Sequence, residues 1–425
     1  MDQHLPTQQH TELLRFITCG SVDDGKSTLI GRLLFDSKAI FEDQLAAISA
    51  TSQRRGMSET DLALLTDGLQ AEREQGITID VAYRYFSTPK RRFIIADTPG
   101  HEQYTRNMVT GASTADVAII LMDVRKGVLT QTRRHTHIVR LLGIRQIILA
   151  INKMDLVDFD EQTFNQVHQE FLTFANALGF DDIIAVPMSA LQGDMVVDRG
   201  TSMPWYQGHT LIDVLESVKV DENIQHAPFR FPVQLVHRVR NSGELNERRL
   251  YLGRVESGHV SVGDEVVVLP AGVNTTVASI DTYDGALKSA TAGQSVTITL
   301  SEQVDISRGD MIAQKSHSPR TEKSFSALIC WLSNAELDVS KRLLLRHGTQ
   351  TVAAKIAALE YKLDINHSIH VPTEKMAMND IVKVLVRVQQ PINIDNYESN
   401  RPNGSFIIID ELTNDTVAAG MVVEN

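Results

Sequence analysis

The sequence predicts an α/β domain built on a parallel sheet, followed by two all-β barrels. Three observations carry that prediction. An apolar run, Leu13 to Thr18, leads into a glycine-bearing loop and then into Leu29 to Leu34, which has helical spacing. Strand-like and helix-like segments then alternate as far as about Val218, the pattern of a doubly wound parallel sheet. After Asp221-Glu222-Asn223 helical spacing nearly vanishes, and short alternating strands separated by Gly and Asp turns take over. The expected domains are residues 1–225, 226–316 and 324–425.

Taken in order, residues 1–12 read as a loose polar tail and Leu13–Thr18 as the first strand. Phe41 to Arg55 has a helical pattern. Gly56 to Gly76 is polar with no clear period, and a long polar loop within a compact domain is usually functional or mobile. Val81, Tyr83 and Tyr85 alternate with less apolar neighbours, as on a half-exposed strand. Arg92–Asp97, Asp116–Val124, Gln146–Ile151 and Ile183–Pro187 read as buried strands. Thr130–Leu142, Glu161–Leu178 and Leu211–Val218 read as helices. In the β region, turns at Gly258, Gly263-Asp264, Asp284-Gly285 and Gly309-Asp310 punctuate a barrel ending near Gln314. Lys315–Lys323 reads as a linker, and a second β region runs from Phe325 onward.

Composition narrows the function classes. With 42% apolar and 22% charged residues, the 425-residue chain has the balance of an ordinary soluble globular protein. No apolar run approaches the roughly 18 residues that a membrane span needs. Met1–His10 is polar and lacks the apolar core of a secretory signal. Two cysteines, Cys19 and Cys330, cannot build a disulfide framework, which fits a reducing cytoplasm. A net charge of -12 disfavours nonspecific binding to nucleic acid.

Four motifs lie at the carboxyl ends of the expected strands, where an open α/β sheet binds its ligand. Gly20-Ser21-Val22-Asp23-Asp24-Gly25-Lys26-Ser27-Thr28 fits the phosphate-loop pattern G-x-x-x-x-G-K-[ST]. Backbone N–H groups and a helix N-terminus would converge there on an anion. Lys26 would reach the terminal phosphates and the Ser27 hydroxyl would hold Mg²⁺. Asp97-Thr98-Pro99-Gly100-His101 follows a strand. Asp97 stands where an outer Mg²⁺ carboxylate is wanted, Gly100 could offer its N–H to a γ-phosphate, and His101 could orient an attacking water.

Asn152-Lys153-Met154-Asp155 carries base specificity. A carboxylate at Asp155 can accept from guanine N1–H and its exocyclic amine, whereas adenine would leave the charge unpaired, worth about 10⁴-fold in favourable cases. Asn152 would brace the loop and the Lys153 stem would cover the base. Ser189-Ala190-Leu191 would meet the base through backbone groups. Thr78, closing the polar loop, is the candidate second hydroxyl on Mg²⁺, released with its loop when the γ-phosphate goes. Arg133-Arg134-His135-x-His137 reads as a solvated basic helix face. Its histidines lack acidic or Cys partners at metal-ligand spacing, so no zinc is expected.

Together these motifs resemble the translational-GTPase superfamily, an N-terminal GTP-binding P-loop domain followed by two β-barrels as in elongation factor Tu. Elongation factors usually carry histidines where this chain has Ser21 and Asp24. The run Gly20–Leu34, Asp97–Ala112, Thr130–His135 and Met203-Pro204-Trp205-Tyr206 are similar to the large, GTP-binding subunits of bacterial ATP sulfurylase, the sulfate adenylyltransferase subunit 1 family. That resemblance implies GTP/GDP and Mg²⁺ as cofactors. It also implies a smaller partner subunit that binds ATP and sulfate and makes adenosine 5′-phosphosulfate and diphosphate, the first step of sulfate assimilation. GTP hydrolysis would drive the uphill condensation.

Some relatives carry a C-terminal adenylylsulfate kinase, and no second phosphate loop precedes Asn425, so that activity is not expected. The competing reading is a tRNA-delivering elongation GTPase, and a third is a GTP-binding scaffold without turnover. Asp24 and Met203–Tyr206 favour the sulfurylase subunit.

Overall fold

The computed structural model describes residues 12–40, 42–54, 60–65, 78, 80–101, 104–180, 182–219, 223–239 and 248–424. The chain divides into two compact units, Met1–Val220 with Ile365–Ser368, and Asp221–Asp364 with Ile369–Asn425.

The first unit is a six-stranded sheet flanked by helices. In chain order its strands are β1 (Leu13–Cys19), β2 (Ala82–Ser87), β3 (Arg92–Asp97), β4 (Val117–Asp123), β5 (Gln146–Asn152) and β6 (Ile183–Pro187). The spatial order is β2-β3-β1-β4-β5-β6. All pairs are parallel except β2–β3. Every residue of β4 is buried, which is why it reads as a continuous apolar run rather than an alternation. β2 sits at the edge and alternates, with Tyr83 40% and Tyr85 67% exposed. Because β1 has β3 on one side and β4 on the other, the crevice at its carboxyl end is where the chain's direction of travel across the sheet reverses.

The helices are α1 (Lys26–Asp36), α2 (Glu42–Arg54), α3 (Thr105–Ala112), α4 (Thr130–Leu141), α5 (Glu161–Ala177) and α6 (Leu211–Ser217). Helix α3 was not legible as a helix, since its eight residues span barely two turns and include Gly111. Residues 56–76 lie outside the described set apart from 60–65. Within that segment, read as polar and without a clear period, the described residues include a 3₁₀ turn, Leu62–Leu65. Leu62 is buried, and its carbonyl lies so close to Gly31 of α1 that a Cβ at residue 31 would meet it at 2.2 Å.

The basic segment on α4 is not the solvated face expected of it. His135 and His137 are 1% and 5% exposed, not solvated. The Arg133 guanidinium lies 4.7 Å from the Phe174 ring centroid, and the His137 ring meets that ring edge-on at 5.8 Å. Packing of α5 onto α4 covers a face that looks polar when α4 is read alone.

The second unit holds two closed barrels. In the first, strands β7 (Arg230–Val239), β8 (Arg248–Arg254), β10 (Glu265–Leu269), β11 (Val273–Thr282), β14 (Ser295–Leu300) and β15 (Met311–Gln314) close through a β10–β11 pairing. Short β12 (Gly285–Leu287) pairs beside β11, and β9 (His259–Ser261) and β13 (Ser289–Thr291) pair with each other as a separate two-stranded sheet. In the second, β16 (Arg320–Trp331), β17 (Leu343–His347), β18 (Gln350–Asp364), β20 (Ile381–Ile394), β21 (Ser405–Asp410) and β22 (Thr416–Val422) close through β17–β18, with β19 (Ile369–Val371) appended to β18. β16 begins inside the segment read as a linker, because Arg320–Glu322 pair with β20 although they are polar. The linker shortens to a turn at Lys315–His317 and Ser318-Pro319. Within this unit Arg230, 2% exposed, makes a bidentate pair with Asp395 at 2.8 and 2.9 Å.

Candidate functional site

The Gly20–Thr28 loop joins the end of β1 to the start of α1. Gly25 turns the chain at φ 97°, a left-handed conformation that favours glycine, and a Cβ there would meet Asn152 Nδ2 at 2.5 Å. Among the described residues no side chain caps α1, so its first N–H groups remain for an anion. The Lys26 ammonium is buried and donates to the carbonyls of Gly20 and Ser21 at 3.0 and 2.8 Å. Burial lowers its pKa, against the opposing pull of Asp24 and Asp97. Asp24 is also buried, and its Oδ2 accepts from the Ser21 N–H at 2.6 Å. Burial raises its carboxyl, with Lys26 acting the other way. Val22, Ser27 and Thr28 are half-buried and Asp23 is exposed.

Register brings the second motif alongside. β1 and β3 pair with Thr18 opposite Asp97. Thr18 Oγ1 donates to Asp97 Oδ1 at 3.4 Å, and Thr98 Oγ1 returns a bond to the Thr18 carbonyl at 2.7 Å. Asp97, Thr98, Pro99 and Gly100 are all buried. Gly100 packs against the loop so closely that a Cβ would stand 2.5 Å from Lys26 Nζ and 2.7 Å from the Gly20 carbonyl. His101 is exposed, its ring 6.0 Å from that of Tyr104. Thr78 is half-buried, between segments outside the described residues. The described residues therefore bring Lys26, Asp97 and Gly100 together and leave Thr78 without a described link to them. A hydroxyl at Ser27 and a buried carboxylate at Asp97 are hard oxygen donors of the kind Mg²⁺ takes.

The third and fourth motifs meet around Asn152, the last residue of β5. Its Nδ2 donates to the Asp24 carbonyl at 2.8 Å and its Oδ1 accepts from the Ala190 N–H at 2.9 Å. One buried side chain thus ties the phosphate loop to the loop after β6. Asp155 Oδ1 accepts from Ser189 Oγ at 2.6 Å, and Ser189 Oγ also receives the Gln192 N–H at 3.2 Å. Met154 is buried. Leu191 is 58% exposed, but its carbonyl accepts from Arg32 Nη2 at 2.5 Å, with Arg32 Nε to the Ala190 carbonyl at 3.3 Å.

Two contributors were missed by sequence reasoning. Arg32 lies on α1 with no motif to mark it. Asp123 closes β4 and bonds both Arg125 and Lys153. Burial raises its carboxyl, but the hydrogen bonds from Arg125 and Lys153 more than reverse that and hold it well below the usual carboxylate range. An acidic residue ending an apolar strand was the available signal. Met203–Tyr206 lies elsewhere, as packing. Trp205 Nε1 donates to the Phe159 carbonyl and Tyr206 OH to the Ala185 carbonyl, both at 2.9 Å, and both rings lie against Phe164.

Comparison with known proteins agrees with this layout. Residues 11–228 match the family described as "Elongation factor Tu GTP binding domain". Residues 248–313 match "Elongation factor Tu domain 2", and 324–423 match "GTP-eEF1A C-terminal domain-like". The chain is 52% identical over 426 residues to "Sulfate adenylyltransferase subunit 1" of Saccharophagus degradans, covering 100% of this chain and 89% of that one. It is 52% identical over 425 residues to the protein of the same name from Aliarcobacter butzleri, covering 99% and 90%. It is 50% identical over 430 residues to "Bifunctional enzyme CysN/CysC" of Rhodopirellula baltica, covering 100% of this chain and 65% of that protein.

Proposed function

The chain belongs to the sulfate adenylyltransferase subunit 1 family, and from that premise we propose how its residues serve the reaction. It is the GTPase subunit of a sulfate adenylyltransferase rather than a tRNA-delivering elongation factor. The triphosphate of GTP lies in the Gly20–Thr28 loop, with Lys26 on its terminal phosphates. The Gly100 N–H meets the γ-phosphate, His101 orients water, and Asp155 reads the guanine edge while Ser189–Leu191 flank the base. Ser27, Thr78 and Asp97 would hold Mg²⁺, which when bound would supply positive charge against the phosphates. Phosphoryl transfer needs positioning and electrostatics more than covalent chemistry, so Lys26 and the loop N–H groups do most of what the protein must do.

The partner in this reading is a smaller subunit that binds ATP and sulfate. GTP hydrolysis here drives adenylylsulfate formation there, in a reducing cytoplasm that suits Cys19 and Cys330, both buried and neither in a disulfide. Among the described residues no helix is long and apolar enough to cross a membrane. The single observation that carries the reading is the Asn152 bridge. It holds the base-reading loop and the phosphate loop at a set spacing, which suits one nucleotide spanning both.

The test is adenylylsulfate synthesis by the chain with its small subunit, with and without GTP. GTP should stimulate synthesis in the parent and not in Asp155→Asn. Unchanged stimulation in that variant would overturn the base pocket.

A further inference from the structure

β4 and β5 run parallel with Asp123 opposite Asn152, so the strand register sets Asp123 beside Lys153, the residue after Asn152. Lys153 adopts φ 65°, a left-handed conformation uncommon for a residue with a side chain. Its ammonium is thereby aimed back across the crevice. It donates to the Asp23 carbonyl in the phosphate loop and lies 3.2 Å from Asp123 Oδ2. Asp123 has no freedom of its own. Its side chain is wholly buried. Oδ1 accepts from the Arg125 N–H and Nε, both at 3.0 Å, and Oδ2 accepts from Arg125 Nη2 at 2.7 Å. Arg125 itself is 46% exposed, so it closes the outer side of the carboxylate while Lys153 takes the inner side. Buried charges of this kind persist when they are paired and hydrogen-bonded, and a bidentate Arg fork fixes carboxylate orientation as well as charge.

From this we infer that Asp123 is a positioning residue for purine binding: with Arg125 as its brace, it pins the Lys153 ammonium against the phosphate loop, so that the aliphatic stem of Lys153 is held flat over the base. The inference rests on the guanine-nucleotide reading of the site. It assigns Asp123 no contact with nucleotide. Its influence passes through Lys153, and it sharpens affinity for the purine ring without reading the exocyclic amine, which is the task of Asp155.

The test is a double-mutant cycle on diphosphate affinity, measured by titration calorimetry on the full chain with GDP and with inosine diphosphate, which lacks the exocyclic amine. Asp123→Asn should weaken GDP about ten-fold, a coupling within the range for directly bonded partners. It should weaken the inosine nucleotide by the same factor. In a Lys153→Ala background the same change should cost less than about two-fold. If the penalty persists undiminished in that background, or is absent in the parent, the inference fails. A different penalty for the two nucleotides also overturns it. Where Asp123→Asn does not fold, Arg125→Gln, which removes the brace and leaves the carboxylate, should show the same dependence on Lys153. Parent chain binding ADP as well as GDP would sink the guanine reading, whereas additivity between Asp123 and Lys153 would sink only this one.

Discussion

Ser189 Oγ donates to Asp155 Oδ1 across 2.6 Å, joining residues from two different strand ends. The carboxylate proposed to read guanine therefore has one oxygen oriented by the protein. A hydrogen bond to a charged group is worth about 1.5–3 kcal/mol. Ser189→Ala should weaken GTP by about ten-fold and shrink its advantage over inosine triphosphate, and Ser189→Thr should recover most of both. Calorimetric affinities of the three proteins check this. An unchanged guanine preference in Ser189→Ala would refute the orienting role.

Gly100 tests the triphosphate side. A methyl at this position would collide with Lys26 Nζ and the Gly20 carbonyl. Overpacking of this kind costs about 1–3 kcal/mol where neighbours cannot yield. Gly100→Ala should lose about ten-fold or more in affinity for a non-hydrolysable GTP analogue and clearly less for GDP, because only the triphosphate uses the Gly100 N–H that the methyl would displace. Equal losses for both nucleotides would place the γ-phosphate elsewhere.

His135 makes stability depend on pH. Burial, with Lys26 and Arg134 adding to it, lowers its pKa from 6.5 to about 3. The folded protein holds this ring neutral while the unfolded chain takes a proton below about 6.5, so between roughly pH 6.5 and 3 the unfolded state binds more protons and stability falls as pH falls. His135→Gln should flatten the fall in melting temperature between pH 7 and 5 relative to the parent. His137, His168 and His347 are also lowered by burial and contribute their own slope, so the informative quantity is the difference between variant and parent. Parallel curves would contradict the assignment.

The Arg230–Asp395 pair tests the second unit. Removing one partner of a buried pair costs about 3–5 kcal/mol because it strands the other charge. Arg230→Met should lower stability by that order, and adding Asp395→Leu should recover much of it. Denaturation followed by Trp331 fluorescence in a Trp205→Phe background reads this unit, since those are the chain's two tryptophans. Loss of less than about 1 kcal/mol would mean that the pair is not effectively buried.

Much of this protein was legible along the chain. The bounds of β3 and β6 fall where period and composition put them, and the other strands and helices read in the first domain agree within a residue or two, apart from α1, which starts three residues earlier than its helical run. The candidate motifs fall at strand ends because each is short and its chemistry sits in adjacent residues. What the linear pattern does not contain is contact across long separations. The bond from Asn152 to Asp24 spans 128 residues, and the Arg32 bond to Leu191 spans 159. The edge-on seating of His137 against Phe174 depends on which helix packs over α4. The grip of Asp123 on Lys153 depends on the register of two parallel strands. Periodicity is a property of one element, so it names the longer elements and not what covers each face. Register and packing are properties of pairs, and they alone settle which side chains meet.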